Sequence, residues 1–194
     1  MLSDEREIIT TARTGDEMQR ATRCREAPRG AKLLMYSDLC QRAKTKGALT
    51  TISEMLDKCP MNVILLQDPA DMDSGHWISV SMNKPKKEIY FFSTYGRRPD
   101  VEKLDWFSKP MMRHSGQELN ILNDGLKELQ RGGWEIHYNN KPYQKEGDNT
   151  ATCGIYTAAF LRSGKNPDEF AEQTQEIEDE GENPAVVYYK RYFC

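Results

Sequence analysis

The sequence predicts an α+β fold in which a central, mostly antiparallel sheet packs between helices. Three observations carry this. Short alternating or β-branched runs follow one another as a hairpin, helical runs flank them on both sides, and the two kinds mix without regular βαβ alternation. The strands expected are "NVILLQ" (62–67), "HWISVSM" (76–82), "KEIYFFS" (87–93) and "WEIHYN" (134–139). "NKPK" supplies the turn that joins the second and third into a hairpin.

The helices come next. "AKLLMYSDLCQRAKTKGALTTISEMLDKCP" holds two helical stretches with Asp38 or Thr50 as caps, and Pro60 closes the second. "SGQELNILNDGLKELQRGG" is an amphipathic helix with a glycine stop. The apolar run from Gly154 to Leu161 is a core helix. "NPDEFAEQTQEI" begins another, with Asn166 as cap and Pro167 at its first position. Composition divides the chain into a polar N-terminal arm (1–30), a domain (31–178), and an acidic linker with an aromatic, basic tail (179–194).

The 194 residues suffice for one domain with a sizeable core. Charged residues are 29% and the net charge is −3 with both signs interspersed, which gives no electrostatic case for nucleic acid as the main partner. No apolar run reaches the roughly 20 residues of a membrane span, and "MLSDEREIITTARTGDE" has no signal-peptide core. Five widely spaced cysteines, Cys24, Cys40, Cys59, Cys153 and Cys194, form no C-x-x-C pair, which argues against a zinc site and for free thiols. No metal or cofactor is expected.

Cys153 is the residue that invites chemistry. In "DNTATCGIYTAAFL" it stands where a polar loop becomes a helix, so free N–H groups and the helix dipole are expected to lower its thiol pKa and to receive an oxyanion. Gly154 would leave the approach open. A thiolate nucleophile needs a base. His137 lies inside a strand, His114 in a loop, and His76 opens a strand after "DMDSG", so position favours His76, with Trp77 beside it to fix its orientation.

In order along the chain, "GHWISV", "IYFFSTYG", "PYQ" and "TATCGIYTAAFL" resemble the adenovirus-type maturation proteases and the related ubiquitin-like-protein proteases. The likeness is greatest to the adenain-like enzymes of virophages, polinton-like elements and large DNA viruses. It covers about residues 62 to 175. The resemblance implies a papain-like cysteine protease core of the adenain type, with Cys153 as nucleophile, His76 as general base and acid, and Gln144 as oxyanion donor. Gln144 stands nine residues before Cys153, farther than is usual in these families.

The family's acid position falls on Ser93, seventeen residues after His76. Ser93 has three readings: a neutral orienter of the imidazole, a sign that Asp73, Asp100 or Glu88 supplies the acid, or the mark of a weakened site kept for binding. The first is preferred, because nucleophile, base and oxyanion donor all remain.

The resemblance implies cleavage of viral polyprotein or capsid precursors, with isopeptidase action on ubiquitin-like modifiers, acyl transfer, or a binding role as alternatives. It also implies a protein substrate, an activating peptide or nucleic acid as an optional partner, no membrane, and a location in host cytoplasm, nucleus or virion. Among the remaining features, Tyr90, Phe91 and Phe92 are expected in the sheet core, and "GRRPD" in a solvated turn.

Overall fold

The computed structural model describes residues 2–22, 30–147 and 150–194; Cys24 and Asn149 lie outside them. The fold is α+β. One five-stranded sheet runs in the spatial order β1 (Lys32–Met35), β2 (Met61–Asp68), β3 (Asp71–Asn83), β4 (Glu88–Ser93), β5 (Glu135–Tyr138). The two central pairings, β2 with β3 and β3 with β4, are antiparallel. The two edge pairings, β1 with β2 and β4 with β5, are parallel. The sheet is therefore mixed, with its antiparallel part at the centre.

Side-chain alternation sends each strand to two cores. On one face, Ile64, Leu66, Ile78, Val80, Ile89 and Phe91 pack against helices α3 (Tyr36–Lys46), α4 (Ala48–Lys58) and α7 (Ile121–Arg131). On the other, Val63, Leu65, Trp77, Tyr90 and Phe92 meet α8 (Cys153–Ser163), with α9 (Pro167–Asp179) behind it. Phe92 stacks on Phe160 with centroids 4.5 Å apart and meets Phe170 edge-on at 5.6 Å. Such pairs add about 0.5–1.5 kcal/mol each beyond the area they bury. Tyr90, Phe91 and Phe92 all lie in the core, as expected.

The ends of the chain pack onto the same face. Helix α2 (Gly15–Ala21) and the last helix, α10 (Pro184–Tyr192), pack against α8, and α1 (Leu2–Thr10) packs against α10. Met18 and Tyr188 are fully buried, so the polar arm and the aromatic tail both contribute to the cores that the strands build. Asn166 caps α9 with Pro167 at its start, as the sequence indicates.

Some local expectations need correcting. "KLLM" is not the beginning of a helix but β1, which is held by pairing with β2. Neither Asp38 nor Thr50 is a cap. Met35 and Gly47 occupy those positions without side-chain cap bonds, and Gly47, at φ 81°, both closes α3 and opens α4. The loop after "GRRPD" carries two short helices, α5 (Val101–Trp106) and α6 (Lys109–His114), and α5 proves central to the site.

Candidate active site

α8 delivers Cys153 as its first residue. Thr152 precedes it without a side-chain cap bond, so the first-turn N–H groups are not taken up by a cap. Gly154 does not serve to clear the approach. A Cβ there would lie 2.8 Å from Arg13 Cβ and 2.9 Å from Met18 Sδ, so the missing side chain makes room for the N-terminal arm. Thr157, one turn on, donates its hydroxyl to the Trp77 carbonyl at 3.1 Å and ties α8 to β3 beside His76.

β3 delivers His76. The preceding Gly75 has φ 148°, and a Cβ on it would fall 2.1 Å from the Leu66 carbonyl oxygen. No larger residue fits, so the close pairing of β2 and β3 that fixes His76 depends on this glycine. Trp77 is buried, and its indole N–H donates to the Arg13 carbonyl at 2.9 Å.

His76 is buried, and its Nε2 lies 3.1 Å from Ser93 Oγ. Tyr95 packs on the imidazole at 4.9 Å between centroids and Trp106 meets it edge-on at 5.5 Å. His76 and Cys153 line one cavity of about 380 Å³, together with Gln144, Tyr95, Trp106 and Phe107. Ala12, Leu66, Asp68, Gly75, Thr150 and Ala151 complete the lining.

No protein-family model matches the sequence, and no curated protein matches it. Among solved structures, the chain is similar to the central domain of the uncharacterised Lpg1148 protein from Legionella pneumophila. That similarity has 16% identity over 93% of this chain and 96% of the other, with a TM-score of 0.45. It is also similar to the SUMO protease Ulp1 with its catalytic cysteine oxidised to a sulfinic acid. There the identity is 14% over 80% of this chain and 85% of the other, with a TM-score of 0.35. The chemistry of the site rests on its own geometry.

That geometry places Gln144 at the cavity, buried, with Thr94 Oγ1 donating to its Oε1 at 3.3 Å. Its amide Nε2 donates to the Thr150 carbonyl at 2.7 Å, and an amide nitrogen has a second proton to offer. The backbone amides of Tyr143 and Gln144 both donate to the Thr94 carbonyl, at 2.7 and 3.1 Å, which accounts for how the loop brings the side chain in.

Ser93 is fully buried and is held on both sides. Asn139 Oδ1 accepts from its amide at 3.0 Å, and Asn139 Nδ2 donates to its carbonyl at 2.6 Å. Its hydroxyl donates to the carboxylate of Glu102, a residue of α5 that the sequence reading did not single out. The three acids that reading offered are all elsewhere. Asp73 lies in the exposed start of β3, Glu88 accepts from the Tyr90 hydroxyl, and Asp100 accepts from the Tyr36 hydroxyl and the Asn123 amide.

α5 is short but firmly anchored. Lys103 is fully buried and donates to the carbonyls of Gln117 and Leu119 at 2.9 and 2.8 Å and to Asn120 Oδ1 at 3.0 Å. Glu102 and Trp106, four apart, share one face of α5, and both serve His76. The sequence signal is weak: "GRRPD" is expected in a solvated turn, whereas its Asp100 and the Glu102 and Lys103 that follow it are buried.

Burial dominates the electrostatics. It pushes His76 down to about 3, so the imidazole is neutral at physiological pH. It also lifts the Cys153 thiol above its usual value, against the opposing pull of the backbone amides of Trp77, Gly154 and Cys153 itself. The expectation of a lowered thiol pKa is therefore overturned: the helix N-terminus acts, but desolvation outweighs it. The resting pair is a neutral thiol and a neutral imidazole. Glu102 is pushed up to about 7, chiefly by burial, with the Ser93 hydrogen bond working the other way.

The remaining histidines stand apart. His114 ends α6 in solvent. His137 sits on edge strand β5, 3.4 Å from Glu135 and 3.9 Å from Glu88. Among the described residues these three could hold a metal ion, but they lie at the opposite end of β4 from Ser93 and share nothing with the cavity. Arg97 of "GRRPD" is not a free solvated cation, being paired with Asp105 and Glu146, and Arg98 lies over the Tyr138 ring at 4.4 Å.

Proposed function

We propose that this protein is a cysteine peptidase working through an acyl-thioester. One observation carries the reading. Cys153, at the uncapped head of α8, and His76, oriented by Ser93, face a single cavity that Gln144 also lines. His76 takes the thiol proton as sulfur attacks the scissile carbonyl, then gives it to the leaving amine; a water activated by His76 hydrolyses the thioester. The oxyanion is received by the α8 N-terminal amides and the spare amide proton of Gln144. Because the resting pair is neutral, proton transfer accompanies attack rather than preceding it.

The substrate is a polypeptide. The walls formed by Tyr95, Trp106 and Phe107 favour small residues next to the scissile bond. The resemblance of "GHWISV", "PYQ" and "TATCG" to adenain-like enzymes supports viral precursor processing, within the host cytoplasm, nucleus or virion. Isopeptidase action on a ubiquitin-like modifier would use the same groups. A second reading, a binding protein on a weakened protease scaffold, is favoured by the neutral resting pair.

An active-site-directed electrophile tests the proposal. Labelling of the folded protein should be lost in Cys153→Ala and strongly reduced in His76→Ala. A folded wild type that is not labelled under reducing conditions supports the binding role. Diglycine-terminated modifier probes and viral structural precursors then separate the two substrate classes.

A further inference from the structure

We infer that Glu102 is the positioning carboxylate of this site, acting through the Ser93 hydroxyl to fix which nitrogen of His76 carries the proton and so to leave a basic nitrogen for Cys153. The inference deepens the peptidase reading and rests on it. The chain of contacts is short: Glu102 accepts from Ser93 Oγ, and Ser93 Oγ lies 3.1 Å from His76 Nε2. A hydroxyl has one proton. When that proton is given to the Glu102 carboxylate, Ser93 meets Nε2 with a lone pair, so Nε2 must carry the imidazole proton. Nδ1 is then the basic nitrogen left for the Cys153 thiol.

The reverse arrangement disables the pair. If Glu102 is protonated, its own O–H can be given to Ser93, and the Ser93 proton turns to Nε2. The imidazole proton then sits on Nδ1, and no basic nitrogen remains for sulfur. No proton leaves this chain during catalysis. One moves from Cys153 to His76 and on to the leaving amine, while Ser93 keeps its own proton, Glu102 stays ionised, and the two steady the imidazolium that forms.

The structure is arranged to hold Glu102 in place. Glu102 is 1% exposed, on a helix fixed by the buried Lys103 and by Asp100. The charged and titratable groups facing it are His76 beyond Ser93, Tyr95, Arg97, Asp100 and Glu146. Arg97 favours the ionised form, and the two acids oppose it. Its ionisation near pH 7 falls where a change in hydroxyl direction alters activity under mild conditions.

Alkylation of Cys153 by iodoacetamide, followed against pH, provides the test. In the wild type the rate should rise through a step near pH 7. Glu102→Gln should remove that step and lower the rate on its alkaline side by roughly tenfold or more. Glu102→Asp should recover part of the loss. An unchanged pH profile in folded Glu102→Gln overturns the inference while His76→Ala still slows alkylation, which leaves the peptidase reading standing. If His76→Ala has no effect, the peptidase reading itself fails. Nitrogen NMR of the His76 ring gives a readout on the wild type alone. Protonation at Nε2 above the step supports the inference, and protonation at Nδ1 overturns it.

Discussion

Arg13 lies directly against Gly154, close enough that a Cβ on residue 154 would stand 2.8 Å from Arg13 Cβ and 2.9 Å from its Cγ. The same arginine offers its carbonyl to the Trp77 indole, so one residue of the N-terminal segment braces the neighbours of both Cys153 and His76. The Ala151 amide adds a further tie by donating to the Ile9 carbonyl at 2.7 Å. A segment that composition marks as a polar arm is thus part of the wall of the cavity, through Ala12.

Gly154→Ala should therefore destabilise the protein, although alanine is the better helix former. Propensity would contribute about 0.5–1 kcal/mol in its favour. Overpacking against Arg13 and Met18 costs about 1–3 kcal/mol, and the contacts at 2.8–2.9 Å put it toward the upper end. A lower midpoint in thermal unfolding, with faster proteolysis before residue 15, is the expected result. A raised midpoint would show that the arm yields without loss.

Several features of the fold around the cavity could be read from the chain because their determinants are local. Gly75 before His76, Cys153 at a loop-to-helix junction, and the Asn166–Pro167 start of α9 each declare themselves within a few residues. The four strands that alternate or run apolar were equally legible, except that β3 already begins at Asp71, so His76 lies within it rather than opening it. β1 was not, because four residues that lead straight into a helix have no turn to mark them, and only pairing with β2 makes them a strand. Glu102 was hidden for a related reason. A carboxylate in a short polar segment is ordinarily solvated, and its burial is decided by Lys103, Asp100 and residues far along the chain. The thiol pKa was misjudged because the helix dipole is local and visible, whereas desolvation depends on everything packed around Cys153.

The buried Glu102 also leaves a mark on stability. Its folded pKa, about 7, lies above its ordinary 4.5, so between those values the folded state binds more protons than the unfolded one. Stability from this group is present below about pH 4.5 and is lost as pH rises through 7, by about 3 kcal/mol in all. His76 works the other way, since its folded value of about 3 lies below 6.5 and its contribution is lost as pH falls through that window. Glu102→Gln removes the first effect and leaves the second. The variant's thermal midpoint relative to wild type should rise from about pH 4.5 to about pH 8. A difference that stays constant with pH would mean that Glu102 does not titrate in this range.

The neutral resting pair makes a spectroscopic prediction. Thiolate ultraviolet absorbance from Cys153 should be missing at neutral pH and appear only above the ordinary thiol range, as judged against Cys153→Ser. His76 should stay neutral down to about pH 3. A thiolate band at neutral pH would establish a charged pair and require the electrostatic account of the cavity to be redrawn.

Replacing Ser93 should distinguish a relay from a simple orienter. Ser93→Ala cuts the link between Glu102 and His76 and is expected to slow alkylation of Cys153 as much as Glu102→Gln does. Ser93→Asp alone places a second carboxylate against a buried one, which should destabilise the fold and bring no gain in rate. Paired with Glu102→Gln, the same aspartate supplies the charge next to His76 directly, and activity should return. Failure of the double variant to exceed Glu102→Gln would show that the carboxylate's position, not only its presence, is specific.

Gln144 separates transition-state stabilisation from nucleophile activation. Its amide lies at the cavity but is hydrogen-bonded to Thr150, not to Cys153 or His76. Gln144→Leu removes the donor with little change in volume, and loss of such a donor slows acyl transfer by roughly 10²–10³-fold. Alkylation of Cys153 forms no oxyanion, so its rate should change little in the same variant. Peptide turnover should fall through kcat with KM nearly constant, because the interaction exists only once the carbonyl has been attacked. Parallel loss of alkylation would instead place Gln144 among the groups that shape the Cys153–His76 pair, and the oxyanion would then rest on the α8 amides alone.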